Sequence, residues 1–286
     1  MPTTEYSRGH GTRRFAPVRC WALVAFTCTE PTIMRAIIIG AGRGSRLMPT
    51  TADAPKCFAE VGGMRMLDWA LEAFRQNGVT DVAFIGGYQI EKVKAAYPDF
   101  TFRHNHAWEQ NNILASLFFA EDLMDGPFIC SYSDILFRPS VVGGLLASRD
   151  DMTLSIDTKW LNRYGERTEH PSDDAEKATV ASGVVTRVDR KIPEGEAYGE
   201  FTGVAKFTAV GADRLARCYR AAREEFGGRE FRDGRTFEKA YLIQLFQWMI
   251  ERGERFGHSD TPGGYIEVDT QQDFDFARRN WASGGV

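Results

Sequence analysis

The sequence predicts an α/β protein, a three-layer sandwich with a mainly parallel, mixed central sheet. From Met34 onward, short apolar runs alternate with amphipathic helical stretches, and strands that alternate with helices make parallel sheets covered on both faces. Several runs end in glycines or an aspartate, and open α/β sheets bind ligands outside the carboxyl ends of their strands. This draws attention to the chain after Gly40, after Gly86 and at Ser133-Asp134.

The elements follow in order. Arg35 to Ile39 is a continuous β-branched run, read as a buried strand. Leu67, Ala70, Leu71 and Phe74 have helical spacing, and Asn77-Gly78 stops that helix. Val82 to Ile85 is a strand closed by Gly86-Gly87, and Gln89 to Tyr97 is a short helix before Pro98. Phe100 to Arg103 is the third strand, Ile113 to Phe118 the next helix, and Phe128 to Tyr132 an apolar strand leading to Asp134. Met152 to Ile156, Thr179 to Val188 and Phe201 to Thr208 read as strands, with Ser182-Gly183 as a break. Helices are expected at about Asp213 to Phe226 and Phe237 to Arg252, and a last strand from Tyr265 to Val268.

The chain has 286 residues, 43% of them hydrophobic, enough for one domain with a large core. Its formal charge of -4 and scattered basic residues give no nucleic-acid stripe and no membrane patch. The five cysteines are odd in number, widely spaced and free of C-x-x-C pairs, which points to a reducing, cytoplasmic setting. No apolar run reaches the roughly 20 residues of a membrane span. Residues 1–33 differ from the rest: Arg13, Arg14 and Arg19 precede a short apolar stretch, Cys20 to Cys28, with no small-x-small cleavage site after it. They read as a disordered leader or a misassigned start, and residues 34–286 as one domain. A chain beginning at Met34 is expected to fold and keep its activity.

The strongest local signal is Ile37-Ile38-Ile39-Gly40-Ala41-Gly42-Arg43-Gly44-Ser45-Arg46-Leu47-Met48-Pro49, followed by Pro55-Lys56. Glycines after a strand let backbone amides approach a phosphate, and Arg43, Arg46 and Lys56 add positive charge. A dinucleotide site would need G-x-G-x-x-G opening into an apolar helix and an acid after the second strand; this loop meets Pro49, and that strand ends in Gly86-Gly87-Tyr88. A Walker A loop is absent as well. A tight turn with incidental arginines is the plainest alternative, and Lys56 after Pro55 argues against it.

Residues 37–56 resemble the signature of the nucleotidyltransferase superfamily that makes nucleoside-diphosphate sugars and CDP-alcohols, with Ile39-Gly40 where that family usually has Leu-Ala. The resemblance implies a Rossmann-like fold of the nucleotide-diphospho-sugar transferase type. It implies a loop, Gly40, Ala41, Gly42, Arg43, Gly44 and Ser45, that wraps a triphosphate, with Arg46 and Lys56 as the catalytic phosphate-holding side chains. It also implies metal-binding aspartates at Asp134, after the central strand, and Asp269, near the carboxyl terminus. Alone, Asp134 could cap a turn and Asp269 could cap the last helix. Carboxylates that hold Mg2+ beside phosphate oxygens are what transfer at an α-phosphorus requires.

Asn111-Asn112-Ile113-Leu114-Ala115-Ser116-Leu117 is similar to runs in bacterial choline-phosphate and phosphonate cytidylyltransferases, as is Ile266-Glu267-Val268-Asp269 with Asp273. Asn112 and Ser116 would lie one helical turn apart and face a base or ribose, although Asn112 could simply be a helix cap. Gly87 and Gln89 are further candidates for base contact. For the acceptor, Trp160, Tyr164, Arg167, Glu176, Glu200 and Lys206 are candidates, because aromatics with carboxylates can cage an ammonium group and cations can hold a phosphate. The same residues could equally pack under a loop.

The resulting expectation is a cytidylyltransferase using CTP, Mg2+ and a small phosphorylated or phosphonate acceptor, with pyrophosphate released and a homodimer compatible with the chain. A sugar-1-phosphate nucleotidyltransferase is the alternative. A non-catalytic nucleotide-binding module would not need Arg46, Lys56, Asp134 and Asp269 together. A glycosyltransferase would need a D-x-D motif where this chain has Tyr132-Ser133-Asp134.

Overall fold

The β-branched run after Met34 forms β1 (Arg35–Gly40), the strand around which a nine-stranded sheet is built. The computed structural model describes residues 1–2, 33–165, 167–282 and 284; the expected leader, residues 1–33, lies almost wholly outside them. The other strands are β2 (Asp81–Gly86), β3 (Thr101–His104), β4 (Phe128–Tyr132), β5 (Met152–Asp157), β6 (Lys177–Ala181), β7 (Val184–Val188), β8 (Gly199–Phe207) and β9 (Gly257–Thr261). The path runs β7-β6-β8-β4-β1-β2-β3, with β5 paired to β8 and β9 paired to β5.

The sheet is mixed, and its two halves differ. β1 is parallel to β2 and β4, and β2 is parallel to β3, with Gly40 opposite Gly86, Gly86 opposite His104 and Ile39 opposite Tyr132. All four strands therefore end along one edge, where a ligand is expected to bind. β8 runs antiparallel to β4, β5 and β6. The run from Thr179 to Val188 is two strands, because Ser182 and Gly183 both take positive φ and turn the chain back as a hairpin.

Strand alternation assigns the two faces. Ile37, Ile39 and Cys130 face a core with α3 (Ile113–Leu117), α6 (Ala209–Phe226) and α7 (Leu242–Ile250). Ala36, Ile38, Phe84 and Ile129 face α1 (Met66–Gln76), α2 (Ile90–Ala96) and α4 (Pro139–Ala147). A third cluster, including Leu47, Val61, Ile266, Val268, Phe274 and Trp281, fastens α8 (Gln271–Asn280) behind the glycine loop. A short helix, α5 (Leu161–Tyr164), follows β5.

Three elements go beyond what the sequence reading expected. Helix α4 contains Gly143-Gly144, a pair unfavourable in a helix, yet a Cβ at Gly144 would stand 2.4 Å from Ser259 Oγ. β9 is polar, Gly257-His258-Ser259-Asp260-Thr261, so no apolar run marks it. Ile135–Phe137 pairs antiparallel with Tyr265–Glu267, placing Ile135 opposite Glu267. This small pairing brings the two ends of the chain's active edge together.

Candidate active site

Gly40 ends β1 where there is no room for a side chain: a Cβ there would lie 2.5 Å from the Phe84 ring and 2.7 Å from Ser133 Oγ. The loop is then pinned on two sides, because Tyr88 N donates to Ala41 O at 2.9 Å and Ser133 N donates to Ile39 O at 3.1 Å. Gly44 takes a left-handed conformation with φ of 68° and starts the turn Ser45–Leu47. A side chain at Gly44 would collide with the Lys56 stem at 2.9 Å, so this glycine clears the path by which Lys56 reaches the site.

Lys56 is buried, and its ammonium donates to Asp134 Oδ2 at 2.9 Å and to Asp269 Oδ1. Arg46 Nη2 donates to the other oxygen of Asp269 at 2.6 Å. The Ile135–Glu267 register explains the meeting, and Val268 N donates to Asp134 O at 3.0 Å just beyond it. Burial opposes the charged form of Asp269, but Lys56 and Arg46 overcome it and hold the carboxyl at about 2. Burial also works against the Lys56 charge, and the two aspartates override it and raise its pKa. Neither aspartate caps α8. Its N-cap is Thr270, whose hydroxyl accepts from Asp273 N.

These groups open on a cavity of about 340 Å³ that is lined by Gly40, Ala41, Gly42, Gly44, Ser45, Arg46, Lys56, Asp134 and Asp269 at one side and by Trp108, Asn112, Ser116, Tyr132, Glu176, Arg190 and Tyr241 at others. The volume lies in the range of small-ligand sites. Glycine amides and two cations on one wall facing two carboxylates are a combination that suits a polyanion bound with a cation. Residues 36–169 match the MobA-like NTP transferase domain. These residues, a little under half of the chain, carry a nucleotidyltransferase domain. It is 26% identical over 252 residues to the CTP:phosphoglutamine cytidylyltransferase of Campylobacter jejuni, covering 85% of this chain and 98% of the relative. It is 27% identical over 235 residues to a UTP–glucose-1-phosphate uridylyltransferase of Haloferax volcanii, covering 77% of this chain and 91% of the relative. The inositol-1-phosphate CTP transferase of T. maritima has the same fold, with a TM-score of 0.66 at 20% identity over 86% of this chain and 96% of that one.

Behind the aspartates this nucleotidyltransferase has a buried supporting layer. Asp273 accepts from Asp269 N at 3.0 Å, Thr270 N at 2.8 Å and Arg167 Nε at 2.7 Å. Arg167 also donates to His170 Nδ1 at 2.5 Å, and its guanidinium carbon sits 4.8 Å from the Tyr164 ring centroid. His170, Glu267 and Asp269 each bring a metal-ligating atom within 4.8 Å of the others. Burial, then the charges of Asp269 and Asp134, push the Glu267 carboxyl well above its usual range.

The end of the cavity beside α3 is organised by Asn105, a residue with no motif around it to single it out. It is fully buried and donates to Asn111 Oδ1 and Ser116 Oγ, both at 2.9 Å, while accepting from Ala107 N and Asn111 Nδ2. Ser116 faces the cavity within this network. Asn112 also lines it, but its side-chain oxygen accepts from Ile113 N at 2.8 Å, the cap geometry anticipated as the alternative. Gly87 lies under Trp108, where a Cβ would meet Ala41 O at 2.6 Å and Trp108 at 2.7 Å. Gln89 turns away, with φ of 50° and its amide donating to the Tyr88 hydroxyl. Arg43 is exposed, 5.5 Å from the Tyr88 ring centroid, outside the cavity lining.

The acceptor candidates separate. Glu176 is in the cavity, accepting from Tyr132 Oη at 3.2 Å and Arg190 Nη2 at 3.3 Å. The others do not gather around it. Trp160 and Tyr164 form a small buried cluster with Ala175 rather than an open cage. Glu200 is buried and taken up by Tyr164 Oη at 2.7 Å and Arg163 Nη2 at 2.5 Å. Arg167 is committed to Asp273. Lys206 pairs in β8 opposite Ile129, at the far end of β4 from Tyr132, and its ammonium donates to Ser148 O at 2.6 Å. In these positions the polar ends of Tyr164, Arg167, Glu200 and Lys206 are satisfied inside the protein, and the Trp160 ring is packed in a small buried cluster. Sequence reading missed Trp108, Tyr132, Arg190 and Tyr241, which come from four separate segments with no shared local pattern.

Proposed function

We propose that the chain transfers the cytidylyl group of CTP to a small acceptor bearing a phosphate or phosphonate, with magnesium, and releases pyrophosphate. The observation that carries this reading is the convergence of Arg46, Lys56, Asp134 and Asp269 beside the glycine turn.

Asp134 and Asp269 offer hard carboxylate oxygens that already share one cation, the Lys56 ammonium, a donor set that fits magnesium. When bound there, magnesium would neutralise charge on the phosphate oxygens. The loop amides from Ala41 to Ser45 and the Arg46 guanidinium take the triphosphate, and Lys56 has the reach to follow it. An acceptor oxygen attacks the α-phosphorus and forms a new P–O bond. The bond to the β-phosphate breaks, and its electron pair leaves with pyrophosphate. The acceptor oxygen is already an anion near neutral pH, so the chain's task is alignment and charge neutralisation rather than proton transfer.

Similarity to the Campylobacter jejuni enzyme along 98% of its length favours CTP. The unpaired thiols of Cys57, Cys130 and Cys218 favour a cytoplasmic, reducing setting. The Haloferax volcanii relative favours a second reading, a sugar-1-phosphate acceptor. Pyrophosphate release should be measured with all four nucleoside triphosphates against phosphocholine, 2-aminoethylphosphonate, phosphoglutamine and glucose 1-phosphate. Release with CTP and one of the first three supports the proposal; release only with UTP and glucose 1-phosphate replaces it with the second reading.

A further inference from the structure

A second cavity of about 230 Å³ adjoins the first, and Arg190 and Tyr241 line both. The Tyr241 ring carries two guanidiniums: the Arg190 carbon is 3.9 Å from its centroid and the Arg235 carbon 4.6 Å. Most charges of this second cavity are already matched. Lys191 pairs with Asp233, Arg232 with Glu251, and Asp189 with Arg187. Arg190 spends its terminal nitrogens on Glu176 and Asp174 at 3.3 and 3.8 Å, while its buried Nε has no hydrogen-bond partner. Arg235 has no carboxylate partner among the described residues. Two guanidiniums thus flank one aromatic ring that borders both cavities, and that of Arg235, exposed on the second cavity's wall, is free to take an anion.

We infer that the acceptor carries a carboxylate remote from its phosphate, received by the Arg235 guanidinium beside Tyr241, where the charge of Arg190 adds to the attraction. The substrate class is then a phosphorylated amino acid or a similar carboxylate-bearing phosphate, not a plain phospho-amine. Planar guanidinium donors match a carboxylate in geometry as well as charge. The inference rests on the transferase reading above and names the acceptor of the same site.

The test uses acceptors that differ by one carboxylate: O-phosphoserine against O-phosphoethanolamine, and homoserine phosphate against 3-aminopropyl phosphate. Binding to the full chain is measured by calorimetry, and turnover with CTP by pyrophosphate release. In at least one pair the carboxylate-bearing member should bind about tenfold tighter and show a correspondingly lower KM. Arg235→Gln should bring that ratio to within about twofold of one, and Arg235→Lys should restore part of it. Equal binding within both pairs, or a ratio unchanged in Arg235→Gln, overturns the inference. Turnover on both members alike would keep the transferase reading and reject the carboxylate. A carboxylate preference in binding without pyrophosphate from any triphosphate would reject the transferase reading and keep the anion site.

Discussion

Replacing Lys56 by methionine tests the electrostatic core of the site through stability, without relying on turnover. The wild-type ammonium is buried between Asp134 and Asp269, while the Asp134 side chain keeps 31% of its exposure. An Asp269 carboxyl held at about 2 instead of 3.8 corresponds to on the order of 2 kcal/mol of folding free energy at neutral pH. The sign follows from the lowered value: this contribution is present above pH 4 or so and lost as pH falls toward 2. Lys56→Met removes the larger of the two cationic influences on Asp269 and leaves two carboxylates facing each other. Breaking a buried pair costs roughly 3–5 kcal/mol; solvent access to Asp134 reduces this to roughly 2–3 kcal/mol. For a domain of this size that lowers the melting temperature by about 5–10 °C. Thermal melting should be recorded in chelator and again with magnesium. Magnesium should raise the variant's melting point more than the wild type's, because no ammonium competes for the carboxylates. A variant that melts with the wild type and ignores magnesium would refute the argument.

Other outcomes follow from neighbouring geometry. Asp134→Asn and Asp269→Asn should fold and yet lose turnover by several orders of magnitude in pyrophosphate release. Gly87→Ala must push Ala41 or Trp108 aside, costing about 1–3 kcal/mol in denaturant melts and raising the KM for the triphosphate. Asn105→Ala strands Ser116, Asn111 and Ala107 N, with a loss of roughly 2–3 kcal/mol and a raised nucleotide KM. Lys206→Met should alter stability alone, with the acceptor KM of the folded fraction unchanged, because its ammonium serves Ser148 O away from the cavity.

The parts of the site legible in the sequence are those built from contiguous chain. Gly40 to Arg46 and Lys56 lie on one loop, and the resemblance rests on their spacing. Asp134 and Asp269 each follow a short apolar run, so their place at strand ends could be read, but not the Ile135–Glu267 pairing that joins them. The acceptor side was poorly legible because aromatic and charged residues have the same composition in an open cage and in a buried, satisfied cluster. Trp160, Tyr164 and Glu200 are of the second kind. The place of Lys206 was illegible for another reason: every residue of β8 is buried, so alternation gives no face, and sequence alone does not say which end of the sheet a position occupies. β9 and α4 escaped because their stability comes from tertiary fit, a polar strand paired with β5 and a glycine pair seated on Ser259.

A crystal structure of the protein with a non-hydrolysable CTP analogue and manganese, read by anomalous scattering, bears most directly on the whole account. The metal should be found between Asp134 and Asp269, touching a phosphate oxygen of a triphosphate that lies on the amides of Gly40 to Ser45. A triphosphate bound elsewhere, or a metal held by neither aspartate, would contradict it.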